Sequence, residues 1–316
     1  MDLSQLRVFY HVAKLKSFAA AADALFVTPP AVSIKIKQLE SHYDLKLFER
    51  SGRKVELTDP GEALLGYAER VFNLVKEADD HMDDLKGGMT GNLKISTGLT
   101  VGTYHLAPLI NVFSKQFPGV DIHMKVKNKK GVIDDILMLN DDLGFIGNVP
   151  VNPSLVVTPL WKEELVVITS KSRSFGKKPS ILPAELSHQP LIVREKGSGT
   201  REYIEERLRR QGIVTKTVME IGSDEAIKRA VAVGLGISIV PVGVVEKEVK
   251  RGVIKQYRVK TESLYLDYFM VHHKDKYISN LIKAFMDVTL KHFKSQRYAR
   301  TLAFSEPAQA RVNPRT

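Results

Sequence analysis

Residues 26–65 read FVTPPAVSIKIKQLESHYDLKLFERSGRKVELTDPGEALL, and this stretch decides the fold of the amino-terminal part of the chain. Thr28 is a good helix-capping residue, and Pro29 and Pro30 suit a first helical turn, so a helix is predicted to begin here. One face of that helix is apolar, and the opposite face is small, polar and basic. The apolar face consists of Val32, Ile36, Leu39 and Tyr43, and the polar face of Ser33, Lys35, Lys37 and Gln38.

Two further helices are predicted before this one. Apolar residues recur at intervals of three and four over residues 3–14, and Ser17 is a good cap for an alanine-rich helix over residues 18–25. A short helix, a tight turn and a longer helix with a basic outer face match the helix-turn-helix, whose second helix enters the major groove of DNA. The candidate DNA-binding residues on this predicted second helix are Thr28, Pro29, Pro30, Ser33, Ile34, Lys35 and Lys37.

A β-hairpin wing is predicted directly after the three helices. In KLFERSGRKVEL, residues 46–57, Leu47 and Val55 can pair across a turn that contains Gly52. Basic residues on a protruding ribbon suit contacts to phosphate, which set affinity and register but carry no sequence information directly. For any single one of them, a solvated turn is the alternative. The candidate phosphate-binding residues are Arg50, Arg53 and Lys54.

A long helix should follow the wing. Thr58 and Asp59 precede Pro60, and Asp59 with Glu62 has the spacing of a capping box. Apolar residues then keep a heptad spacing, which predicts a helix that pairs with another; packing on its own domain is the alternative. His81 falls on the same face, where it either makes pairing sensitive to pH or has no consequence. The seam residues are Leu64, Tyr67, Val71, Leu74, Ala78 and Leu85, and Gly87, Gly88 and Gly91 end the helix.

Composition bounds the class of protein. A chain of 316 residues has room for two or three compact units, and 43% hydrophobic with 26% charged residues is typical of globular proteins. Cysteine is absent, which excludes disulfides and thiolate sites. The sequence shows neither a signal peptide nor an apolar run of membrane-spanning length, so we expect a cytoplasmic protein with no membrane partner.

The distribution of charge matters more than its total. The formal net charge is +11, yet residues 1–60 hold nine Lys/Arg against seven Asp/Glu, a net charge of only +2. Residues 291–316 hold six against one. We expect a helix to persist to about residue 300 and then to give way to a mobile basic tail, which either adds nonspecific affinity for DNA or has no role.

Residues 26–65 resemble the signature of the LysR-type transcriptional regulators over a long, ungapped stretch. The resemblance implies a winged helix-turn-helix that binds promoter DNA, a linker helix through which two chains dimerise, tetramers, and RNA polymerase as a partner. Because a twofold dimer presents its recognition helices about one DNA turn or a multiple apart, an inverted-repeat operator is expected. These regulators often have glutamine where this chain has Pro29, so base readout should depend more on Ser33, Ile34 and Lys35.

From residue 92 onward, short β-branched runs alternate with helical patterns such as residues 103–116, 200–211 and 224–232, which predicts α/β units with largely parallel sheets. The resemblance implies an effector domain similar to periplasmic solute-binding proteins, with two lobes and a cleft. The overall expectation is an α+β chain. Its predicted parts are a DNA-binding domain (1–58), a linker helix (59–88), an effector domain (89–290, with lobe one at 92–162 and 269–290 and lobe two at 163–268) and a tail (291–316).

Two segments of the effector domain are predicted to bind a small anionic metabolite. STGLTVGTYHLAP, residues 96–108, and VREKGSGTREYIEERL, residues 193–208, each run from a strand into a helix, whose amino terminus attracts anions through free N–H groups and the helix dipole. The first helix is predicted to begin near Thr103. Unliganded structural turns are the alternative. The candidate effector-binding residues are Gly98, Leu99, Thr100, Thr103, Gly147, Lys196, Gly197, Ser198, Gly199, Thr200, Arg201 and Ser223.

The run REKGSGTR, residues 194–201, also resembles the REPGSGTR element of LysR regulators that control carbon fixation and sulfur or nitrogen assimilation. Lys196 replaces the proline of that element, so the identity of the ligand does not transfer. A basic cluster at residues 125–130 is interpreted as a solvated edge, with an effector or partner contact as the alternative.

Catalytic motifs are missing from the sequence. It contains no GxSxG elbow, no HExxH and no P-loop, so neither an enzyme nor a resident cofactor or metal is expected. A solute-binding protein and a nonspecific nucleoid protein are the remaining alternatives to a regulator. The first lacks an export signal, and the second fits poorly with the low charge of residues 1–60.

Overall fold

The computed structural model describes residues 1–51, 54–85, 89–148, 151–176, 178–260 and 264–303. The chain divides into two compact units. The first comprises Met1–Lys86 with Met138–Asn140, and the second comprises Gly87–Leu137 and Asp141–Thr316.

Unit 1 begins with three helices, α1 (Leu3–Leu15), α2 (Phe18–Leu25) and α3 (Pro29–Tyr43). Asp2 and Gln5 form a reciprocal capping box at the start of α1, and the Ser17 hydroxyl accepts a hydrogen bond from the Ala20 N–H at the start of α2. Phe26 closes α2 in the left-handed conformation with φ 54°, which turns the chain sharply into α3. The fully buried core between the helices includes Phe9, Val12, Ala21, Ala22, Val32 and Leu39.

A hairpin of β1 (Phe48–Ser51) and β2 (Lys54–Leu57) follows the helices and confirms the wing as an element. Its register differs from the prediction, because Val55 pairs with Arg50 and Phe48 pairs with Leu57. Leu47 lies before the strand and is buried in the helical core, at 1% exposure, so it has no strand partner. The turn is therefore shorter than predicted.

The long helix α4 (Asp59–Leu85) completes unit 1. The predicted capping role of Asp59 is wrong: the Thr58 hydroxyl accepts the Gly61 N–H at 3.2 Å, one residue earlier. Gly61 is required next to this cap, because a Cβ there would lie 2.1 Å from the carbonyl oxygen of Leu47.

Unit 2 is an α/β body. Its elements in chain order are β3 (Gly91–Gly98), α5 (Leu99–Val101), a π-helical turn (Gly102–Leu106), α6 (Ala107–Gln116), β4 (Val120–Lys127), α7 (Lys129–Leu137), β5 (Leu143–Gly147), β6 (Leu155–Ser170), β7 (Ser180–Ile181), a 3₁₀ turn (Pro183–Leu186), β8 (Pro190–Arg194), α8 (Gly199–Arg210), β9 (Lys216–Ile221), α9 (Asp224–Ala232), β10 (Ser238–Pro241), α10 (Val242–Lys250), β11 (Ile254–Val259), β12 (Tyr265–His273) and α11 (Asn280–Ala303).

The strands of unit 2 form two lobes that share the long strand β6. Its first part pairs with β12, and β12, β5, β3 and β4 complete lobe one. Its last residues, from Leu165, pair with β10 and β11 of lobe two, where β8 pairs with β9. The expectation of largely parallel sheets is wrong, because β6 and β12 run antiparallel to all their partners.

Two predicted boundaries also move. Residues 265–268 pair with β6 in lobe one, so the chain returns to lobe one near residue 264 instead of 269. The effector domain does not end at residue 290, because α11 continues and Phe293, at 2% exposure, stacks on Trp161 with ring centroids 4.2 Å apart. The helix α11 ends at Ala303, close to the predicted end near residue 300, and residues 304–316 lie outside the described residues.

Among the described residues, no group of three or more His, Asp or Glu side chains could hold a metal ion. No single helix in this part of the chain is both long and apolar enough to cross a membrane, and α2 and α3 reach that length and apolarity only as a pair bent by 107°.

Candidate functional sites

Helix α3 presents part of its predicted DNA-binding face to solvent. Ile34 is 56% exposed, and Lys37 is also exposed. Ser33 and Lys35 are half-buried and already bonded: the Ser33 hydroxyl donates to the Pro29 carbonyl at 3.1 Å, and the Lys35 Nζ donates to the Ser4 Oγ at 2.7 Å. Thr28, Pro29 and Pro30 are exposed at the start of the helix, and the Thr28 hydroxyl caps no N–H among the described residues.

The wing residues are only partly described. Arg50 and Lys54 lie in the strands β1 and β2, without described side chains, and Arg53 lies outside the described residues. Their contact with phosphate remains a prediction.

The heptad face of α4 is divided between two environments. Leu64 and Val71 are half-buried and pack on the core of unit 1, so the alternative of packing on its own domain holds for these two. Farther along, large apolar side chains face solvent, and Val75 and Met82 extend this surface beyond the predicted seam. The exposed seam residues are Tyr67 at 63%, Leu74 at 66%, Leu85 at 72%, and Ala78.

A pocket of about 340 Å³, counted to its open mouth, lies between the lobes of unit 2. It brings together seven of the predicted effector-binding residues, which are Gly98, Leu99, Thr100, Gly147, Ser198, Gly199 and Thr200. Val101, Lys127, Asn128, Lys129, Ile146, Arg194, Glu195 and Tyr268 complete the lining.

Helix amino termini from both lobes face this pocket. Residues 99–116 are helical without a break, and Gly98, which precedes them, has no side chain to cap the first N–H groups. In α8, the Ser198 hydroxyl accepts the Arg201 N–H at 3.4 Å. Backbone donors and helix dipoles therefore converge on one cavity, which is an arrangement that attracts anions.

Five predicted effector residues are not part of the lining. Thr103 is exposed, because the helix begins at Leu99 instead of near Thr103 and the residue falls within the π-helical turn. The Arg201 guanidinium is held by Glu205 at 2.6 Å and Glu220 at 2.7 Å. The remaining three are Lys196, which is exposed, Gly197, with φ +85°, and Ser223, which is half-buried at the start of α9.

The two lobes touch at Gly199. A Cβ on this residue would lie 2.5 Å from the Gly147 carbonyl oxygen, a distance that real side chains do not adopt. Glycine is therefore needed here because the backbone of α8 approaches the end of β5 directly.

A buried ionic group lies at the same place. Arg194 Nη1 donates to Asp224 Oδ1 at 2.9 Å and to the Thr100 hydroxyl at 3.3 Å, and that hydroxyl donates to Asp224 Oδ2 at 2.7 Å. Arg194 also forms a two-point pair with Glu195, at 2.8 and 3.1 Å. Burial alone would lower the pKa of Arg194, but the carboxylates of Asp224 and Glu195 raise it above its ordinary value.

A second polar group joins the lobes beside the pocket. The Tyr104 hydroxyl, in the π-helical turn, donates to Glu225 at 2.6 Å, and Lys228 pairs with Glu225 at 2.7 Å and Glu248 at 2.9 Å. Burial and the Glu225 hydrogen bond raise the pKa of Tyr104 well above its ordinary value. Hydrogen bonds from Lys228 and Tyr104 hold the pKa of Glu225 below its ordinary value.

Comparison with known proteins agrees with this arrangement of elements. Residues 3–62 match the family described as bacterial regulatory helix-turn-helix protein, lysR family, and residues 86–294 match the LysR substrate binding domain. The chain belongs to the LysR family of transcriptional regulators. It is a DNA-binding regulator of transcription and not an enzyme.

Relatives of this LysR regulator include the HTH-type transcriptional activator CmpR of a Synechocystis species, 34% identical over 92% of this chain and 95% of the relative. The RuBisCO operon transcriptional regulator of Acidithiobacillus ferrooxidans is 33% identical over 90% and 92%. The regulatory domain of Synechocystis CcmR in complex with 2-PG has a TM-score of 0.61 at 26% identity, covering 65% of this chain and 98% of that domain. These names are consistent with a regulator of the carbon-fixation type.

Among the residues that the sequence analysis did not name are Arg194, which lines this regulator's pocket, and Asp224, which binds Arg194 and Thr100 behind the lining. Arg194 ends the apolar strand PLIVR. A charged residue at the end of an apolar strand indicates that the strand leaves the hydrophobic core there and that the side chain has polar partners. Asp224 stood next to Ser223 and was interpreted only as part of a helix start. Nothing local shows that its carboxylate reaches Thr100, which is 124 residues earlier in the chain.

Proposed function

We propose that this LysR regulator binds inverted-repeat promoter DNA as a dimer or tetramer, acts with RNA polymerase in the cytoplasm, and responds to a small anionic metabolite. The effector would bind in the interlobe pocket. The observation that carries this proposal is the convergence of helix amino termini from two lobes with Thr100 and Arg194 on one cavity.

Dimerisation through α4 is supported by its exposed apolar face. Tyr67, Leu74 and Leu85 each leave more than half of their surface in solvent, at heptad-compatible spacing, which a helix paired with a second copy would bury. A twofold pair would present two α3 helices to one DNA face, so the operator would be an inverted repeat.

An effector of the carbon-fixation type is supported by the relatives. CmpR and the RuBisCO operon regulator are relatives over most of the chain, and the similar regulatory domain of CcmR is known in complex with 2-PG, an anionic compound. Phosphate and carboxylate groups suit a site built from backbone N–H groups and a guanidinium. Lys196 remains a departure from the element that the branch shares, so we assign the chemical class and leave the compound open.

Base and phosphate contacts are assigned to different side chains of α3. Ile34 points its apolar side chain outward and would contact the methyl group of thymine, whereas exposed Lys37 would contact phosphate. Ser33 and Lys35 would reach DNA only by giving up the bonds to Pro29 and Ser4.

Fluorescence anisotropy with the DNA upstream of the regulator's own gene tests the DNA part. We expect Lys37→Ala to weaken binding equally for operator and scrambled duplex and to lower the salt slope by about one, and Ile34→Ala to weaken only the operator. Lys115→Ala, which removes the same charge from unit 2, is the control. Equal affinity of the unaltered protein for both duplexes would contradict a sequence-specific regulator.

A thermal-shift screen tests the effector part. Anionic metabolites, including 2-PG and inorganic phosphate, should raise the melting temperature, because a ligand that binds only the native state stabilises it. Thr100→Val and Ser198→Ala should each reduce the shift. If both variants keep the full shift, the effector binds elsewhere and the assignment of the pocket is wrong.

A further inference from the structure

The interlobe pocket holds its cations in existing ion pairs. Three cationic side chains line it, and each is matched with a carboxylate of this chain. Arg194 pairs with Asp224 and Glu195, Lys127 with Asp135 at 2.5 Å, and Lys129 with Glu202. The pocket therefore attracts anions through its backbone N–H groups and dipoles, while its side-chain cations are already neutralised.

Asp224 does not itself line the pocket, but its carboxylate binds two lining donors that an anionic ligand would use. Its two carboxylate oxygens accept separately from the Thr100 hydroxyl and from Arg194, so that both donors on the pocket wall bind one anionic group. Its side chain is 3% exposed and that of Arg194 is 7% exposed, which places the pair in a low-dielectric setting. Asp224 comes from α9 of lobe two and Thr100 from α5 of lobe one, so the contact also joins the lobes.

Glu202 plays the same part at the other side of the pocket. It lies in the first turn of α8, and its carboxylate accepts from the ammonium of Lys129 at the start of α7 in lobe one. Lys129 is largely buried, at 15% side-chain exposure, whereas Glu202 is 45% exposed. The carboxylate is thus the partner that can move into solvent at small cost.

Adding an anion beside these pairs, without removing any carboxylate, is unfavourable. Arg194 would then face Asp224, Glu195 and the ligand at once, and like charges in a buried site repel each other strongly unless one of them leaves or takes up a proton. Exchange of one carboxylate for another anionic group keeps the charge of the site constant.

We propose that the carboxylates of Asp224 and Glu202 act as internal ligands of the effector site, and that an anionic effector binds by replacing them on Thr100, Arg194 and Lys129. This proposal rests on the proposed function of the pocket. It adds that binding breaks two contacts between the lobes, Thr100 with Asp224 and Lys129 with Glu202. The third pair, Lys127 with Asp135, lies within lobe one, so breaking it would not change the contact between the lobes.

Internal ligands also set a threshold for selectivity. The apparent dissociation constant equals the intrinsic one divided by the fraction of protein in which the site is free, so an effector must outcompete a tethered carboxylate. A single carboxylate offers no advantage over Asp224. A phosphorylated or dicarboxylate metabolite, which engages Thr100, Arg194 and Lys129 together, does.

Calorimetric titration of the full-length protein with inorganic phosphate and with 2-PG at fixed ionic strength tests the exchange. Glu202→Gln should bind both probes at least about threefold more tightly than the unaltered protein, because the neutral amide competes less well for Lys129. Glu206→Gln is the matched control: it removes the same charge from the same helix, where Glu206 pairs only with Arg209 and Arg210 in the described part of the chain. It should change affinity less than twofold.

Asp224→Asn provides the second variant and should tighten binding by about tenfold. Thermal unfolding in the absence of probe shows whether this buried substitution still folds; Glu202→Gln decides the outcome if it does not. Unchanged or weaker binding by Glu202→Gln overturns the exchange. If the unaltered protein binds the probes and that variant binds no better, the pocket still holds the effector and only the internal-ligand proposal fails.

Discussion

At the scale of single residues, Gly199 shows how tightly the lobes of this regulator meet. No side chain fits between its Cα and the Gly147 carbonyl oxygen, so the smallest possible substitution reports on the interlobe contact. Gly98 on the opposite wall is different, because a Cβ there would lie 3.6 Å from the Phe145 carbonyl oxygen, an ordinary contact.

Gly199→Ala should therefore destabilise unit 2 by about 1–3 kcal/mol, since the new methyl group must push the lobes apart. Gly98→Ala should cost less than about 0.5 kcal/mol. Urea unfolding monitored by the fluorescence of Trp161 measures both values. Equal stability of the two variants would show that the lobes do not meet closely at Gly199.

Tyr104 gives a prediction about pH. Its raised pKa means that the folded protein keeps the hydroxyl protonated at a pH where the unfolded chain ionises, so its contribution is complete below about pH 10 and is lost as the pH rises further. Tyr104→Phe should cost about 1 kcal/mol near pH 8, through the lost hydrogen bond to Glu225. The difference from the unaltered protein should shrink above pH 10.

Urea unfolding from pH 8 to 10.5 checks this expectation. Tyr265→Phe, which removes a hydroxyl from a side chain of an exposed residue in the same unit, controls for the loss of one tyrosine. A stability difference for Tyr104→Phe that stays constant over the whole range would contradict the assigned pKa.

Seven of the residues that line the pocket could be predicted from the sequence. Glycine and hydroxyl residues at a turn from a strand into a helix indicate a binding site, and this pattern is visible in a few consecutive residues. Thr100, Ser198 and Gly199 carry that pattern in their immediate neighbours. Asp224 could not be predicted, since its role depends on a tertiary contact with Thr100. Thr103 lies outside the pocket lining because the helix begins at Leu99 and the residue falls in the π-helical turn, neither of which a regular helical period predicts.

At the scale of elements, α4 lies in two different environments along its length. Its first turns pack Leu64 and Val71 on the helical core, and its later turns expose Leu74 and Leu85. An exposed apolar face of this kind needs a partner to exclude water.

Leu74→Arg should dissociate the assembly, because a buried guanidinium in a helix pair lacks a counter-charge. Light scattering after size exclusion should give a mass near 35.4 kDa, where the unaltered protein gives a multiple of it. Lys76→Ala, on the face of the helix opposite the seam, should keep the multiple. An unchanged mass for Leu74→Arg would mean that the chains associate through other surfaces.

Helices were easier to predict than strands. Residues 18–25 and 224–232 agree with the structure at both ends, because capping residues and the helical period mark them locally. The first half of β6 carries little local signal, since Pro159 and Lys162 interrupt its alternation and its partners lie far away in the chain. Pairing partners, and hence the antiparallel direction of β6 and β12, are set by tertiary structure.

At the scale of the whole molecule, the regulator joins a DNA-binding unit and an effector unit in one chain. If the effector changes the affinity for DNA, thermodynamic linkage requires that DNA change the affinity for the effector by the same factor. The two units can then be tested together without assuming any particular arrangement of one relative to the other.

Saturating 2-PG should change the affinity for the operator duplex by some factor. We expect the operator duplex to change the affinity for 2-PG, measured by calorimetry, by the same factor. A scrambled duplex at the same concentration should leave the 2-PG affinity unaltered. If 2-PG changed the affinity for the operator but the operator left the affinity for 2-PG unaltered, the two binding events would not be linked as expected.

The path of the chain between the lobes has a mechanical consequence. The lobes are joined where β6 passes Leu165 and where β12 begins at Tyr265, two neighbouring antiparallel strands. Such a pair resists stretching, because its covalent backbone is already extended, but the two strands can twist about each other. We therefore expect the lobes to rotate relative to each other about these strands, so that a small rotation there displaces the far rim of each lobe by a larger distance. Fluorophores attached at the two rims would turn that displacement into an optical biosensor for the effector.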